Sequence, residues 1–395
     1  MLDKKKLLYE ITKSKNFYVK VLEPYSNISL DFLKDFSNKL RKKNIIKYPD
    51  LIYLVFWCSS KKILKEKNNF KERNIRLGRG LIFHICPSNV PTNFFYSFIF
   101  GLLSGNSNIV KIPSKPFPEK KIILQTINDI FKKKKFKILK DSNIFINYED
   151  KDENTKKISS ICDGRVIWGG DNSINEIRKT WIPERTVELT FSDRYSFSVI
   201  NLNELKKKGI SEIKMLAKNF FYDGYMMNQA ACNSPHFVFW IGKNNKIKEI
   251  FWSELDKIVS KKFILDEKGA VDKYLQLIKN VIDQKKFNKI KMYKNNLYVI
   301  DPNKETNNIE NIRGINGIFF QKNIKNLSNL KIYVTKKCQT ITYFGIKKNE
   351  IKSFLLNNNL FGVDRIVPIG KGLEMSLNWD GYDSIRSLSR IINIE

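Results

Sequence analysis

Histidine is nearly missing from this 395-residue chain, which holds only His84 and His236. With so few imidazoles and no acidic residues at metal-ligand spacing, no catalytic metal site is expected. The five cysteines, Cys58, Cys86, Cys162, Cys232 and Cys338, are odd in number and contain no C-x-x-C pair. That argues against a disulfide framework and a zinc ribbon, and it fits a reducing cytoplasm. Long apolar runs are missing too. The best candidate, residues 93–103, falls short of the roughly 18–20 residues a membrane span needs and suits a buried helix. Leu2-Asp3-Lys4-Lys5-Lys6 leads into mixed polar sequence and not an apolar stretch, so a secretory leader is not expected. No internal repeat is evident.

Acidic residues are scarce relative to basic ones, 40 against 71, for a net charge of +31. Such a surface attracts polyanions, which makes a non-catalytic polyanion-binding protein one reading of the chain. Lysine is however spread along its whole length beside abundant asparagine and isoleucine, the trio an AT-rich coding sequence produces. No zinc-finger spacing, homeodomain pattern or aromatic RNA-binding signature accompanies it, so no nucleic-acid partner is expected. The densest run, Lys132 to Lys135, reads as a solvated helix end. Hydrophobic residues make up 42% and aromatics 13%, enough for a sizeable core. The length exceeds what one core supports, so two domains are expected.

Residues 2–74 mix helical periodicity with charge and read as a helical lead-in. The texture changes at Leu81-Ile82-Phe83-His84-Ile85, an apolar run bounded by Gly80 and Pro87 that reads as a buried strand. A buried helix over 94–103 follows, ending at Ser104-Gly105-Asn106. Strands are expected at 108–113, 143–147 and 165–168, and helices at 119–135, 156–161 and 173–181. This β-α-β alternation implies a parallel sheet with ligands bound beyond the carboxyl ends of its strands. After Val187-Glu188-Leu189 a second α/β block begins, with strands expected at 197–200, 237–241, 297–300 and 332–334. Asn244-Asn245 and Asn307-Asn308 read as polar breakers.

Two segments carry candidate chemistry. Pro87-Ser88-Asn89-Val90-Pro91 follows a strand and precedes a buried helix; Asn89 there either donates to an oxyanion or satisfies a local turn. In Asn228-Gln229-Ala230-Ala231-Cys232-Asn233-Ser234-Pro235 a thiol follows small residues and precedes polar ones, the openness a nucleophile needs. The other four cysteines sit in apolar or lysine-flanked stretches and read as structural. His236, four residues past Cys232, is expected to diverge from it, and His84 reads as a packed core histidine.

Taken in order, Pro87 to Pro91, Gly105-Asn106 with Val110-Lys111, Trp168-Gly169-Gly170, Val187-Glu188-Leu189 and Asn228 to Cys232 resemble the motifs of the aldehyde dehydrogenase superfamily. More narrowly, His84 to Pro91, Gly101 to Val110 and Trp379-Asp380-Gly381-Tyr382-Asp383 resemble the LuxC-type fatty acyl reductases. The resemblance runs from about Gly78 to the C-terminus. It implies an α/β fold of the aldehyde dehydrogenase kind: a helical lead-in and Rossmann-type NADP-binding domain over 1–188, rejoined by 360–395, and a catalytic cysteine domain over 189–359.

The resemblance also implies roles. Cys232 would accept the acyl group, with Asn89 and the Cys232 backbone N–H as the oxyanion hole. Lys111 would bind the adenosine ribose, and Gly169 and Gly170 would let backbone approach the diphosphate. Glu188 matches a carboxylate that activates water in hydrolytic relatives; in a reductase it would influence thiol deprotonation or proton delivery. Where NAD-preferring relatives often carry glutamate three residues after the lysine, this chain has Ser114, then Lys115, which suits a 2′-phosphate and hence NADPH. Thr342-Tyr343-Phe344-Gly345 resembles a nicotinamide-side element with Thr342 replacing a ribose-binding glutamate and Phe344 retained. The implied reaction is NADPH-dependent reduction of acyl-CoA or acyl-protein to the aldehyde, in a homo-oligomer working with acyl-protein synthetase and acyl transferase subunits. An acyl-phosphate reductase of the glutamyl phosphate reductase type is the alternative within the same chemistry.

Overall fold

The computed structural model describes residues 10, 14, 16–88, 90–148, 153–284, 287–303 and 308–395. The chain divides into two compact units, one of Met1–Ser192 with Met375–Glu395, the other of Asp193–Glu374.

The first unit opens with α1 (Asn27–Arg41), α2 (Pro49–Trp57) and α3 (Ser60–Asn69), followed by β1 (Ile75–Gly78). The amphipathic helix α1 turns Phe32, Leu33, Phe36 and Leu40 inward. Then come β2 (Leu81–Ile85), α4 (Asn93–Leu103), β3 (Ser107–Lys111), α5 (Pro118–Phe131), α6 (Lys137–Ser142), β4 (Asn143–Ile146), α7 (Asn154–Ser159), β5 (Gly164–Trp168), α8 (Asp171–Arg178) and β6 (Val187–Phe191). Every residue of α4 from Phe94 to Leu103 is buried, because α1 covers its outer side: Phe36 stacks on Phe95 at 4.1 Å, and Phe32 meets Phe98 edge-on. The lysine run after α5 is tied down. Lys133 and Lys135 reach Asp35 at 2.8 and 3.3 Å, and residues 134–136 form a 3-10 turn.

The five strands β4-β3-β2-β5-β6 form one wholly parallel sheet. The chain winds outward from β2 to β4 and then returns to β5 on the other side of β2. The order therefore reverses between β2 and β5, and their carboxyl ends, Ile85 and Trp168, flank the crevice such sheets use for ligands.

The second unit contains β7 (Tyr195–Asn201), α9 (Leu202–Tyr225), β8 (Pro235–Ile241), α10 (Asn245–Lys262), α11 (Glu267–Gln284), β9 (Phe287–Tyr293), β10 (Leu297–Pro302), β11 (Ile318–Ile324), β12 (Cys338–Phe344), α12 (Lys348–Asn357) and β13 (Arg365–Pro368). Its seven-stranded sheet runs β13-β12-β7-β8-β11-β10-β9, and β9 alone is antiparallel to its neighbour. One face packs Phe197, Phe239, Phe320 and Tyr333; the other packs Phe220, Trp240, Trp252 and Phe319. Asn201 and Asn244 cap α9 and α10 by accepting backbone N–H groups, so the polar pair at 244–245 starts a helix.

The strand expected at 332–334 is not formed. Leu327–Tyr333 is a 3-10 helix, capped where the Asn326 and Asn329 side chains exchange hydrogen bonds with each other's backbone. Tyr333 is held there by its carbonyl, which accepts the Tyr195 hydroxyl. That reciprocal cap offers the backbone a local alternative to a ladder.

After the second unit the chain returns to the first. Residues β14 (Asn378–Trp379) and β15 (Tyr382–Asp383) form a hairpin whose turn residues, Asp380 (φ 48°) and Gly381 (φ 79°), are both left-handed, the conformation a two-residue turn of this kind requires. A short helix, α13 (Ser384–Ser387), leads to β16 (Ser389–Ile392), which pairs antiparallel with β1. Among the described residues no helix is long and apolar enough to cross a membrane.

Candidate active site

Cys232 lies in the second unit, in the loop between α9 and β8, and of the five cysteines it alone is not buried. Burial pushes the Cys86 thiol up to about 12 and those of Cys58 and Cys338 well above the ordinary range, which makes them inert. The loop is fixed on both sides of the thiol. Asn228 (φ 52°) and Gln229 (φ 60°) are successive left-handed residues, costing of order 1–3 kcal/mol each. The Gln229 amide offsets that cost: its oxygen accepts the Gly317 and Ile318 N–H groups at 2.8 and 3.2 Å, and its nitrogen donates to the Ile318 and Pro235 carbonyls at 2.9 and 3.3 Å. The Cys232 carbonyl accepts the Ser196 hydroxyl at 2.6 Å, and that same hydroxyl oxygen accepts the Thr340 N–H.

Beneath the loop, Asn233 donates to the Gly372 carbonyl at 2.7 Å, which also accepts from Arg365, while the Gly372 N–H donates to Asp223 at 2.8 Å. Asp223 takes a second N–H from Gly370. Burial raises its carboxyl to about 7, against the lowering effect of those two N–H groups and Arg365. A Cβ on Gly372 would come within 2.9 Å of the Asp223 carboxyl carbon, so only glycine fits this approach. His236 is held at Gly314: its Nδ1 accepts the Gly314 N–H at 3.1 Å. Burial, then the Arg313 charge, lowers its pKa to about 3.

In the first unit the residues read as cofactor ligands gather at the carboxyl ends of the parallel strands. Lys111 ends β3, buried, with Nζ 4.7 Å from the Tyr148 ring centre. Ser114 and Lys115 are exposed in the following bend. Lys120 holds that bend by donating to the Pro113 and Lys115 carbonyls at 2.8 and 2.7 Å. Gly169 and Gly170 link β5 to α8. A Cβ on Gly170 would meet nothing within 4 Å, and one on Gly169 only Ser173 at 3.4 Å, so neither glycine is demanded by packing. What they leave is open space before a helix N-terminus. Asn89 lies outside the described residues.

Behind this crevice a buried polar chain crosses four strands. Trp168 Nε1 donates to Ser97 Oγ at 2.9 Å; Ser97 bonds His84 Nδ1 at 2.8 Å; His84 Nε2 bonds Asn108 Oδ1 at 2.9 Å. Asn108 Nδ2 donates to the Asn106 carbonyl and to Asn143 Oδ1. Because the Asn108 nitrogen is occupied as a donor, its oxygen accepts, and the network assigns the His84 proton to Nε2. Burial lowers the His84 pKa to about 4.

Glu188 is committed to arginine. Arg165 Nε, at 2.8 Å, and Nη2 both donate to Glu188 Oε2, and Arg178 Nε donates to Oε1 at 2.7 Å. Parallel pairing sets Arg165 opposite Glu188, and Arg165, itself buried, also donates to the Ile177 and Thr180 carbonyls at the end of α8. Thr342 is buried in β12 with its hydroxyl bonded to Ser198 at 2.6 Å. Phe344, half-buried at the end of β12, lies 5.7 Å from Lys208 Nζ. The supporting roles of Gln229, Asp223 and Gly372 escaped the sequence reading; the one available signal was Gln229's place within the cysteine motif.

These units have the fold of aldehyde dehydrogenases. Similar solved structures include glyceraldehyde-3-phosphate dehydrogenase GapN from Methanocaldococcus jannaschii complexed with NADP, with TM-score 0.64 and 11% identity, covering 99% of this chain and 93% of that one. A salicylaldehyde dehydrogenase from Pseudomonas putida G7 complexed with salicylaldehyde gives TM-score 0.63 and 10% identity, covering 98% and 88%. An oxidoreductase from Marinobacter aquaeolei gives TM-score 0.65 and 9% identity, covering 98% and 89%. No curated protein matches the chain. The family model for acyl-CoA reductase (LuxC) matches residues 10–392, and the chain belongs to that family. It is therefore an oxidoreductase acting on acyl or aldehyde groups.

Proposed function

We propose that the protein reduces a fatty acyl thioester, carried on coenzyme A or on a protein, to the aldehyde with NADPH, through an acyl group held on Cys232. The observation that carries this reading is the setting of the thiol: one accessible cysteine among five, on a loop whose backbone is fixed at Gln229, at Asn233 and at the Cys232 carbonyl. The Cys232 thiolate attacks the donor carbonyl carbon, the tetrahedral oxyanion collapses, and the bond to the donor sulfur breaks. The donor leaves as a thiolate and takes a proton from water. Asn89 and the Cys232 backbone N–H are assigned as oxyanion donors, each worth about 3–4 kcal/mol.

When bound, the dinucleotide supplies two electrons as hydride. Once the acyl carbon on Cys232 is reduced, the carbon–sulfur bond breaks, aldehyde is released and the thiol is restored. Open space at Gly169 and Gly170, with Ser114 and Lys115 exposed after β3 in place of the glutamate of NAD-preferring relatives, supports NADPH as the cofactor. Lys111 is assigned to the adenosine ribose and Phe344 to the nicotinamide side. Glu188, whose oxygens are taken by Arg165 and Arg178, is assigned to hold those arginines and not to move a proton.

The test is to incubate wild type and Cys232→Ala with labelled acyl-CoA of several chain lengths, and with acyl-protein in parallel, reading acyl-enzyme and NADPH oxidation. Wild type should form a hydroxylamine-labile acyl-enzyme and oxidise NADPH at least about tenfold more efficiently than NADH, a difference of about 1.4 kcal/mol. A labelled acyl-enzyme on Cys232→Ala would overturn the thiol assignment, and a preference for NADH would overturn the cofactor.

A further inference from the structure

The buried acid Asp223 lies near the end of α9, in the same unit as Cys232, against the turn that follows β13. Both of its carboxyl oxygens are taken: Oδ2 accepts the Gly370 N–H at 2.7 Å and Oδ1 the Gly372 N–H at 2.8 Å. A protonated carboxyl or an amide offers one strong acceptor oxygen, and its other end is a donor that would face an N–H. The two glycine N–H groups therefore select the carboxylate. Burial works against them and raises the carboxyl to about 7, so the fold gives up stability to keep a charge here.

The turn is shaped for this contact. Gly370 is left-handed (φ 98°), and a Cβ there would come within 2.8 Å of Asn219 on α9. The Ile369 N–H donates to the Tyr343 carbonyl at 3.0 Å, which ties the start of the turn to β12. Gly372 is the node. Its N–H goes to Asp223, while its carbonyl accepts the Asn233 side chain at 2.7 Å and Arg365 at 2.5 Å. Arg365 also donates to the Lys371 carbonyl at 2.7 Å. Asn233, itself buried, is the residue after the thiol, so the chain Asp223–Gly372–Asn233 ends beside Cys232 in the sequence. Two charged groups act on Asp223 across this turn: Arg365 on β13 favours its carboxylate and Glu374 opposes it.

We infer that Asp223 is a positioning residue for Cys232: as a carboxylate it fixes Gly372 and, through Asn233, the thiol loop, and a proton on either oxygen releases one glycine N–H and loosens that loop. The inference rests on the reading of Cys232 as the acyl-accepting thiol. Acylation then needs two groups ionised, the thiol as nucleophile and Asp223 as its support. A part in folding alone would slow a variant equally at every pH. A positioning role slows it only where Asp223 is charged.

The test follows the burst of acylation of the full-length protein by p-nitrophenyl octanoate between pH 5.5 and 8.5, in wild type, Asp223→Asn and Asn233→Ala. This activated ester acylates an accessible nucleophilic thiol whatever the natural donor, and Cys232→Ala supplies the background. The wild-type rate should follow one proton above about pH 7 and steepen toward two below it. Asp223→Asn should be at least about tenfold slower at pH 8.5, follow one proton throughout, and come within about twofold of wild type at pH 5.5. Asn233→Ala keeps the acid but cuts the chain; it should match Asp223→Asn, and it decides alone if that variant does not fold. An Asp223→Asn rate equal to wild type at pH 8.5, a constant ratio across the pH range, or a second proton retained in Asn233→Ala would overturn the inference. Acylation by the ester with none by acyl-CoA or acyl-protein would overturn the proposed function and leave the assignment of Asp223 standing. No burst above the Cys232→Ala background would overturn both.

Discussion

Two imidazoles, both buried, one in each unit, make the folded chain sensitive to acid. His84 is held to about 4 by desolvation, partly opposed by its bond to Asn108, and His236 to about 3 by desolvation and the Arg313 charge. Both folded values lie below the 6.5 of an unfolded chain, so as pH falls through 6.5 the unfolded state takes up protons that the folded state refuses. Stability from each histidine is full above 6.5 and is lost progressively toward pH 4. Going from pH 7.5 to 5, shifts of this size withdraw about 2 kcal/mol per histidine. Carbon-labelled histidine gives the direct assay, since an imidazole spectrum of this protein holds two signals. Neither should move between pH 7.5 and 5.5, and denaturant midpoints should fall over the same interval. A folded-state midpoint near 6.5 for either signal would refute the burial argument, and with it the proton placement in the Trp168–Ser97–His84–Asn108 chain.

The remaining predictions concern single positions. Gly101→Ala would put a Cβ 1.9 Å from Asn108 Oδ1 and 2.8 Å from His84 Nε2; a loss of at least about 2 kcal/mol in denaturant unfolding is expected, and a loss under about 0.5 would contradict the geometry. Asp223 has its folded pKa raised above the unfolded 3.8, so ionising it costs stability as pH climbs from about 4 to 7. Asp223→Asn should remove that opposing slope and steepen the acid-side decline of the second unit, measured by unfolding at pH 5 and 7.5; an unchanged slope would count against it. Glu188→Gln leaves Arg165 buried with a weakened partner and should cost about 3 kcal/mol. A variant of normal thermal stability that no longer releases aldehyde would return Glu188 to the chemistry.

What could be read from the residues follows from how parallel sheets are built. Strands buried on both faces are continuous apolar runs, so β2, β3 and β5 stand out, as does α4, whose lack of any polar face marks it as interior. Cys232 was distinguishable because it closes the ordered series of motifs at Asn228-Gln229-Ala230-Ala231, a setting the other cysteines lack. The edge strand β9, Phe287–Tyr293, was not legible: its lysines alternate with apolar residues on a half-exposed strand and mimic a solvated helix. The 3-10 turn at Leu327–Tyr333 was misread because Ile332-Tyr333-Val334 has strand composition while the cap that bends it lies six residues upstream. Beyond its place in the cysteine motif nothing marked Gln229, since a left-handed glutamine leaves no trace in composition and its partners, Pro235, Gly317 and Ile318, come from the following strand and the distant 317–318 segment.

The pairing of β1 with β16 sets an order of events during synthesis. The strand partner of Ile75–Gly78 is Ser389–Ile392, and Asn106 and Arg79 bond to the carbonyls of Leu388 and Ser387. The second unit, residues 193–374, has all its strands as soon as β13 leaves the ribosome, whereas the first must wait, with β1 unpaired, until residues 375–392 follow. The thiol-bearing half is thus complete before the half that begins the chain, and a ribosome that stalls near residue 374 would leave an unpaired strand edge at β1 for quality control to find.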